Sequence, residues 1–351
     1  VRRLNHMIQM KFPLLVVLTA GIGDLVLGSM GLRAVRHGFP AAEIHLMTSI
    51  EAAAVARHYP YVDRIWSFPI RQFRKNKKAF GTLAKALFPL RAYRFKKIIN
   101  LYQVSSIRGA LAMGAVFSLL RSPCKIGHDR YGFGHFLDET VPGDFFRGRH
   151  MADSMLDLAC KAGGKADGEG IEVFPPGSIS PDLKQMLDFT PNHIGLKTIA
   201  INPGSDAVEK RTDPDIFFSA VNRLADWIPV KAIILGGPGE EKIADEILDG
   251  LQTPAKNLAG KTSLEGLVQV LEQVDLLITN DSGPMHIAAA LKKPLVAIFR
   301  RGNPKIFGPY GDSSRFRTIT AEPDIDIKSR QFQESVTSKV AAACRSLLTG
   351  C

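Results

Sequence analysis

The sequence has no apolar run long enough to cross a membrane and no paired cysteines. Its longest apolar stretch, residues 109–120, is far shorter than the roughly 18 residues that a spanning helix needs. The four cysteines stand far apart without a C-x-x-C pair, so neither a disulfide framework nor a zinc knuckle is predicted. We also expect no secretory signal, because the basic start lacks a long apolar core. These absences favour a cytoplasmic protein.

Acidic residues are missing from residues 64–128, which contain fourteen Lys and Arg. The whole chain carries a net charge of +11, so its basic character is concentrated in this one segment. Such a segment suits an anionic membrane surface or a phosphorylated acceptor, with a solvated helix face as the alternative. Nucleic acid is not expected as a partner, because no nucleic-acid-binding motif accompanies the charge.

The 351 residues, 45% of them hydrophobic, predict two globular domains. A stretch rich in Gly, Pro and Ser at 163–181 separates domain 1–175 from domain 176–351. Strands are predicted at 13–19, 43–48, 62–68, 97–101, 125–128, 198–202, 230–235, 275–279 and 294–299. Helices are predicted at 24–37, 50–58, 105–120, 151–162 and 329–348, the last of which could pack back on the first domain.

This alternation of strands and helices predicts an α/β protein built from two Rossmann-like domains with parallel sheets. Each half opens with a buried strand that runs into a Gly-containing loop, LLVVLTAGIGD first and TIAINPGSD second. Ligands of open α/β sheets bind beyond the carboxyl ends of the strands, so we expect a central cleft that both sheets face.

The strongest local motif is ITNDSGPMHIAAALKKPLVAIF, residues 278–299. A strand ends near Thr279, polar residues turn the chain, and Gly283 begins a helix. The free N–H groups and the dipole of a helix N-terminus favour an anion, and the Ser282 hydroxyl adds a donor, so the motif predicts a phosphate site. The alternative is that Asp281 and Ser282 only cap the helix and that His286 only packs.

A second motif, INPGSDAVEKRTDPDIF at residues 201–217, repeats the order of strand, loop and helix. Lys210 and Arg211 are placed to reach a diphosphate, and Ser205 can donate a hydrogen bond to it. Asp213-Pro214-Asp215 resembles a D-x-D metal motif, but an N-cap followed by proline explains it better. We therefore infer no metal.

Two further acids follow predicted strands. Glu240, in LGGPGEEKIAD, could accept hydrogen bonds from ribose or sugar hydroxyls or simply lie in the first turn of a helix. Asp24, in TAGIGD, is equally open to interpretation as a base or as a helix N-terminal acid. The pattern G-x-G-D is not the dinucleotide fingerprint, so a nicotinamide enzyme is not supported.

Taken together, these motifs resemble the bacterial lipopolysaccharide heptosyltransferases, glycosyltransferase family 9. IGD, the basic middle segment, HMADSMLDLACKAGG, INPGS with a following Lys, LGGPGE and the long run LAGKTSLEGLVQVLEQVDLLITNDSGPMHIAAALKKPLVAIF carry the resemblance over roughly residues 13–310. It implies the GT-B fold. It also implies an inverting, metal-independent transfer of heptose from ADP-heptose to the Kdo-lipid A inner core at the cytoplasmic face of the inner membrane.

The resemblance assigns roles to individual residues. Asp24 would be the general base, and Lys210 would neutralise the leaving diphosphate. The donor site would comprise Ser205, Asp206, Lys210, Glu240, Thr262, Asp281, Ser282, Gly283 and His286. The acceptor side would comprise Gly21, Gly23, Lys75, Lys77 and Lys78. The implied partners are the nucleotide-sugar donor, a lipid-anchored glycan acceptor and an anionic membrane surface; ADP-heptose is a substrate, and no cofactor is expected.

Three positions depart from the family pattern. Leu18 stands where the first strand usually ends in Lys or Arg. Thr212-Asp213-Pro214 follow Lys-Arg, one residue more than the usual Trp-Pro, and Arg300-Arg301 replace the small residues after AIF. The alternatives to the heptosyltransferase are a GT-B transferase with another nucleotide sugar or a different acceptor, and a sugar-nucleotide-binding homologue without turnover. The presence of Asp24 and Lys210 argues against the last.

Overall fold

The chain folds into two compact units that divide between Glu169 and Gly170. The computed structural model describes residues 12–70, 87–143, 148–189, 195–320 and 329–350. The predicted boundary, after residue 175, lies six residues later than this division. The difference arises because the first part of the predicted linker, residues 163–181, packs on the first unit. Arg33 donates to the Asp167 carboxylate at 2.7 Å and to the Glu169 carbonyl at 2.7 Å, which ties this part to the first unit.

The first unit is a six-stranded parallel sheet in the order β3-β2-β1-β4-β5-β6 with helices between the strands. Its elements are β1 (Pro13–Leu18), α1 (Ile22–Leu27), α2 (Ser29–Gly38), β2 (Glu43–Ser49), α3 (Ile50–Ala56), β3 (Arg64–Phe68), β4 (Lys97–Asn100), α4 (Ile107–Leu119), β5 (Lys125–Asp129), β6 (Glu139–Pro142) and α5 (Met151–Lys161). A 3-10 helix spans Phe88–Ala92.

The second unit repeats this order, β12-β11-β10-β7-β8-β9, again with parallel strands. Its elements are α6 (Pro181–Leu187), β7 (Lys197–Asn202), α7 (Pro214–Ala225), β8 (Val230–Ile234), α8 (Glu241–Gly250), β9 (Ala255–Asn257), α9 (Leu264–Gln273), β10 (Leu276–Asn280), α10 (Gly283–Ala290), β11 (Leu295–Phe299), α11 (Pro304–Phe307), β12 (Phe316–Thr320) and α12 (Arg330–Thr349). Short 3-10 helices span Val208–Lys210 and Ser313–Arg315.

The predicted α/β fold with parallel sheets is confirmed. Both sheets share one strand order. Successive strands are added toward one side of the sheet and then toward the other, and this order reverses between β1 and β4 in the first unit and between β7 and β10 in the second. The central strands are buried on both faces, which is why they appear in the sequence as continuous apolar runs. At each reversal, the loops that follow the two neighbouring strands lead away from each other, and the crevice between them is where open α/β sheets bind ligands.

The prediction missed the strands β6, β9 and β12. All three lie at sheet edges and are short and polar, with the sequences ETVP, AKN and FRTIT. An edge strand pairs on one side only and faces solvent, so its residues need no continuous apolar pattern. These strands form because a neighbouring strand is already in place.

The first predicted helix, over 24–37, is two helices, because α1 ends at Leu27 and α2 starts at Ser29. Gly28 lies between them, where an added Cβ would overlap the Leu18 side chain. Leu18 is fully buried, so it packs in the core at the position where the family pattern has a cation. The start of α1 at Ile22 places Asp24 in the first turn of a helix.

The closing helix α12 packs on its own unit. Phe332, Val336, Val340 and Cys344 are buried in the core that covers the second sheet. Arg223 of α7 adds two polar contacts, donating to the Ser338 hydroxyl at 2.6 Å and to the Glu334 carboxylate at 2.8 Å. Among the described residues, no helix is long and apolar enough to cross a bilayer.

A fully buried histidine lies among aromatic rings in the first unit. His45, in β2, accepts a hydrogen bond at Nδ1 from the Trp66 indole N–H at 3.1 Å, and its ring packs against Tyr93 and Phe95. Burial lowers the pKa of His45 from its ordinary value of 6.5, although the nearby Glu43 carboxylate acts in the opposite direction. The fold therefore favours the neutral imidazole.

This burial predicts acid sensitivity. Because the pKa of His45 is lower in the folded state, its contribution to stability is fully present above its unfolded value of 6.5 and is lost as the pH falls below that value. His45→Gln removes the titration but keeps an acceptor for Trp66. We expect the thermal midpoint to fall more in the parent than in His45→Gln between about pH 7.5 and about pH 5.5. Equal falls in thermal unfolding would contradict this prediction.

Candidate functional site

Two buried asparagines end the neighbouring strands β7 and β10. The Asn280 amide donates to the Pro203 carbonyl at 2.7 Å, and its oxygen accepts from the backbone N–H and the hydroxyl of Thr212, at 3.1 and 2.6 Å. The Asn202 amide donates to the Ser282 hydroxyl at 3.1 Å. The loops after β7 and β10 are thus joined where the strand order reverses, which is where open α/β sheets bind ligands.

Lys210 and Asp281 form an ion pair across these two loops, with 2.6 Å between Nζ and Oδ2. Asp281 is buried, whereas the Lys210 side chain is about one third exposed. The Ser205 hydroxyl donates to the Asp281 carbonyl at 3.1 Å. Three residues predicted from two separate motifs therefore lie together, and they present one partly exposed cation.

The helix α10 begins beside this pair. Ser282 is its N-cap residue but makes no side-chain cap; its hydroxyl instead contacts Thr279 Oγ1 at 3.0 Å. The alternative that Asp281 and Ser282 serve only as helix caps is therefore wrong. The first turn starts at Gly283 with its positive dipole end next to Lys210, and His286 is buried one turn further along the helix. This arrangement suits an anionic ligand.

Glu240 connects the loops after β7 and β8. Its Oε1 pairs with Arg211 at 3.2 Å, and its Oε2 accepts the Gly237 N–H at 2.8 Å. Arg211 also donates to the Ser205 carbonyl, at 3.1 Å from Nε and 2.9 Å from Nη2. Arg211 therefore supports the loop beside Lys210. Glu240 is the N-cap residue of α8, and its carboxylate organises this loop.

The remaining predicted donor residues are placed differently. Asp206 is exposed in the loop after β7. Thr262 lies before α9 and lines a cavity of about 590 Å³ together with Pro176, Lys261 and Gln269. In the described part of the chain, no hydrogen bond joins Thr262 to Lys210 or Asp281.

In the first unit, Asp24 lies at the equivalent point after β1. Its Oδ2 accepts the Gly21 N–H at 3.0 Å, which closes the first turn of α1, and Gly23 is buried in that turn. Of the two predicted roles for Asp24, a base or a helix N-terminal acid, this contact shows the second. The predicted acceptor-side lysines Lys75, Lys77 and Lys78 lie outside the described residues.

Comparison with known proteins decides the family. A family model for glycosyltransferase family 9, the heptosyltransferases, matches residues 90–334. The chain belongs to this family. Lipopolysaccharide heptosyltransferase 1 of Campylobacter coli is 23% identical over 301 residues, which cover 81% of this chain and 82% of that protein.

The fold of family 9 is equally evident in solved structures. A family 9 glycosyltransferase from Veillonella parvula DSM 2008 has a TM-score of 0.77 at 20% identity, over 97% of this chain and 98% of that one. The E. coli ADP-heptose LPS heptosyltransferase II has a TM-score of 0.72 at 21% identity, over 97% and 99%. The protein is a glycosyltransferase with the two-domain GT-B fold.

Two departures from the family pattern have structural roles. Thr212, in the longer segment after Lys-Arg, is buried and hydrogen-bonded to Asn280, so it joins the loop after β7 to the end of β10. Arg300 donates from Nη1 to the Arg211 carbonyl and so ties the end of β11 to the same loop. Sequence reasoning missed the role of Asn202 and Asn280, although both are polar residues that end buried strands.

The D-x-D segment behaves as predicted for a helix start. Asp213 caps α7 by accepting the Asp215 N–H at 3.1 Å, and Pro214 occupies the first turn. Burial and the neighbouring carboxylates of Asp213 and Glu246 raise the pKa of Asp215. Across the described ranges, no three His, Cys, Asp or Glu side chains are grouped to hold a metal ion.

The Glu240 contacts generate a prediction. An added Cβ at Gly204 would overlap the Glu240 carboxylate, whereas one at Gly237 would lie 3.8 Å from it, an ordinary contact. Gly204→Ala should displace Glu240 from Arg211 and lower the free energy of unfolding by about 1 to 3 kcal/mol. Gly237→Ala, the matched control, should have a much smaller effect.

A double-mutant cycle by denaturant unfolding measures this coupling. Once Glu240→Ala has removed the carboxylate, Gly204→Ala should destabilise the protein much less than it does in the parent. The same loss in both backgrounds would show that Gly204 does not act through Glu240.

Proposed function

We propose that this family 9 enzyme transfers heptose from ADP-heptose to the lipopolysaccharide inner core, with inversion at the anomeric carbon and without a metal. The observation that carries the proposal is the Lys210–Asp281 pair beside the start of α10, at the strand-order reversal of the second sheet. The names of the relatives support the sugar and the acceptor.

In this proposal the donor diphosphate lies against Lys210 and the first turn of α10. An ammonium has three N–H groups, and Asp281 accepts from one of them, so the pair holds Lys210 in place while it contacts phosphate. The cation and the helix dipole offset the charge that develops on the leaving ADP. The donor site contains Ser205, Asp206, Lys210, Glu240, Thr262, Asp281, Ser282, Gly283 and His286.

Asp24 is the proposed general base. The acceptor hydroxyl loses its proton to the Asp24 carboxylate while its oxygen attacks the anomeric carbon from the face opposite ADP, and the bond to the diphosphate oxygen breaks. The Gly21–Asp24 hydrogen bond orients the carboxylate at the carboxyl edge of the first sheet. Lys75, Lys77 and Lys78 would attract the anionic acceptor and the inner-membrane surface.

The experiment that tests the function is an assay of ADP release from ADP-heptose, with and without truncated Kdo-lipid A acceptors. Release that depends on the acceptor supports the proposal. Turnover with another nucleotide sugar but not with ADP-heptose would favour a different transferase, and tight ADP binding without any turnover would favour a homologue that only binds the nucleotide.

The role of Asp24 can be separated from its helix contact. Asp24→Asn keeps an oxygen that can accept the Gly21 N–H but removes the basic carboxylate. We expect kcat to fall by on the order of 100-fold or more, with ADP affinity little changed, because a base acts in the transition state. The assay of ADP release and calorimetric ADP binding measure the two effects. A parallel loss of ADP affinity would instead place Asp24 in the donor site.

The role of Lys210 is testable by nucleotide binding. Lys210→Ala should weaken ADP binding by about 1.5 to 3 kcal/mol, the scale of a charge-assisted hydrogen bond. Lys339→Ala in α12 removes the same charge from an exposed position and should have little effect. EDTA should leave ADP binding by the parent unchanged. Undiminished ADP affinity in Lys210→Ala, with an unchanged thermal midpoint, would contradict the assignment.

A further inference from the structure

Several large apolar side chains are exposed at one edge of the first sheet. In the described residues, the most exposed large hydrophobics are Ile50, Phe88, Ile107, Leu111, Tyr131, Val208 and Trp227. Ile50 follows β2, Ile107 and Leu111 follow β4, and Tyr131 follows β5. Because the strands are parallel, the chain leaves each of them at the carboxyl edge of the sheet, where Asp24 also lies. The loop after β4 leads from this edge into the first turns of α4, which carry Ile107 and Leu111.

The helix α4 presents two of these side chains on one face. Ile107 is 67% exposed and Leu111, one turn later, is 63% exposed. The buried residues of this helix are Ala110, Val116 and Phe117, which pack toward the core. The Ser106 hydroxyl accepts the Gly109 N–H at 3.1 Å, so the exposed turn belongs to a capped helix. The only charged residue of α4 is Arg108, which is also exposed.

The loop after β5 extends this surface. Tyr131 is 77% exposed and has a φ of 55°, a backbone conformation that is unfavourable for a bulky residue. The Arg130 guanidinium lies 5.0 Å from the centre of the tyrosine ring. This loop packs directly on α4, because the rings of Phe117 and Phe136 are in edge contact with centres 5.2 Å apart.

We propose that Ile107, Leu111 and Tyr131, which we call the apolar edge, insert into the headgroup region of an anionic phospholipid bilayer. Leucine, isoleucine and tyrosine side chains suit the boundary between headgroups and acyl chains. Arg108 and Arg130 lie next to them in sequence and complement lipid phosphates. Ile50 is not included in the apolar edge, because an anionic bilayer would repel the Glu51 carboxylate next to it.

This inference rests on the proposed function, because a lipid-anchored acceptor gives a membrane contact its purpose. The basic stretch 64–128 supplies long-range attraction without a single acid. The apolar edge adds a short-range contribution that salt does not screen. It would hold the carboxyl edge that bears Asp24 toward the lipid surface from which the acceptor sugar projects.

Vesicle flotation tests the proposal. The parent should bind vesicles of phosphatidylethanolamine with phosphatidylglycerol and bind phosphatidylcholine vesicles much more weakly. The double variant Ile107→Ser/Leu111→Ser should bind the anionic vesicles about tenfold more weakly, since it loses two inserted apolar side chains. Ala112→Ser, an exposed change on the same helix, is the matched control and should bind like the parent. Ile107 and Leu111 are both exposed, so the thermal midpoint of the double variant should stay near that of the parent.

Equal binding of the double variant and the parent to anionic vesicles would overturn the proposal. It would also be overturned if the parent were a dimer by light scattering, the double variant a monomer, and vesicle binding unchanged, because the apolar edge would then contact a second copy.

An activity comparison separates this inference from the proposed function. With ADP-heptose and a Kdo acceptor stripped of its acyl chains, the double variant should turn over like the parent. With vesicle-embedded acceptor it should be slower by about the same factor as its loss of vesicle binding. Absence of turnover by the parent on both acceptors would refute the proposed function, whereas equal slowing of the double variant on both acceptors would refute the membrane role of the apolar edge.

Discussion

The buried amide of Asn280 is the contact on which the candidate donor site depends. Its nitrogen and oxygen together bind Pro203 and Thr212, so the end of β10 is joined to both ends of the loop that carries Ser205 and Lys210. Where the strand order reverses, the loops after β7 and β10 would otherwise separate. A buried amide that left these groups unpaired would be costly, which gives the loops one favoured arrangement.

The Lys210–Asp281 pair follows from that arrangement. A buried carboxylate needs a partner, and the short 3-10 helix at Val208–Lys210 brings the ammonium to it. Removing Lys210 would leave the buried Asp281 carboxylate without its cation. Glu240 and Arg211 form a second ion pair, which supports the loop after β7 next to Lys210. Arg300 connects the same loop to the end of β11. These contacts thus surround the partly exposed Lys210 ammonium and keep it oriented.

The two units share a strand order, yet their carboxyl edges differ in chemistry. The second edge is polar, with amides, hydroxyls and an ion pair near the start of α10. The first edge has Asp24 in a glycine-containing turn, and exposed apolar side chains on α4 and the loop after β5. The same topology can therefore serve a phosphate ligand in one unit and a lipid-anchored acceptor in the other.

The sequence by itself determined the two parallel sheets, because the central strands are buried on both faces and must be continuously apolar. It also determined which loops carry Lys210, Asp281 and Asp24, since polar residues directly follow those strands. Tertiary structure alone decided the edge strands β6, β9 and β12, which need a neighbour to pair with, and the close packing of Gly28 on Leu18, which leaves no room for a Cβ. It also decided that Glu240 pairs with Arg211, because two residues 29 positions apart in sequence meet only when β7 and β8 lie side by side.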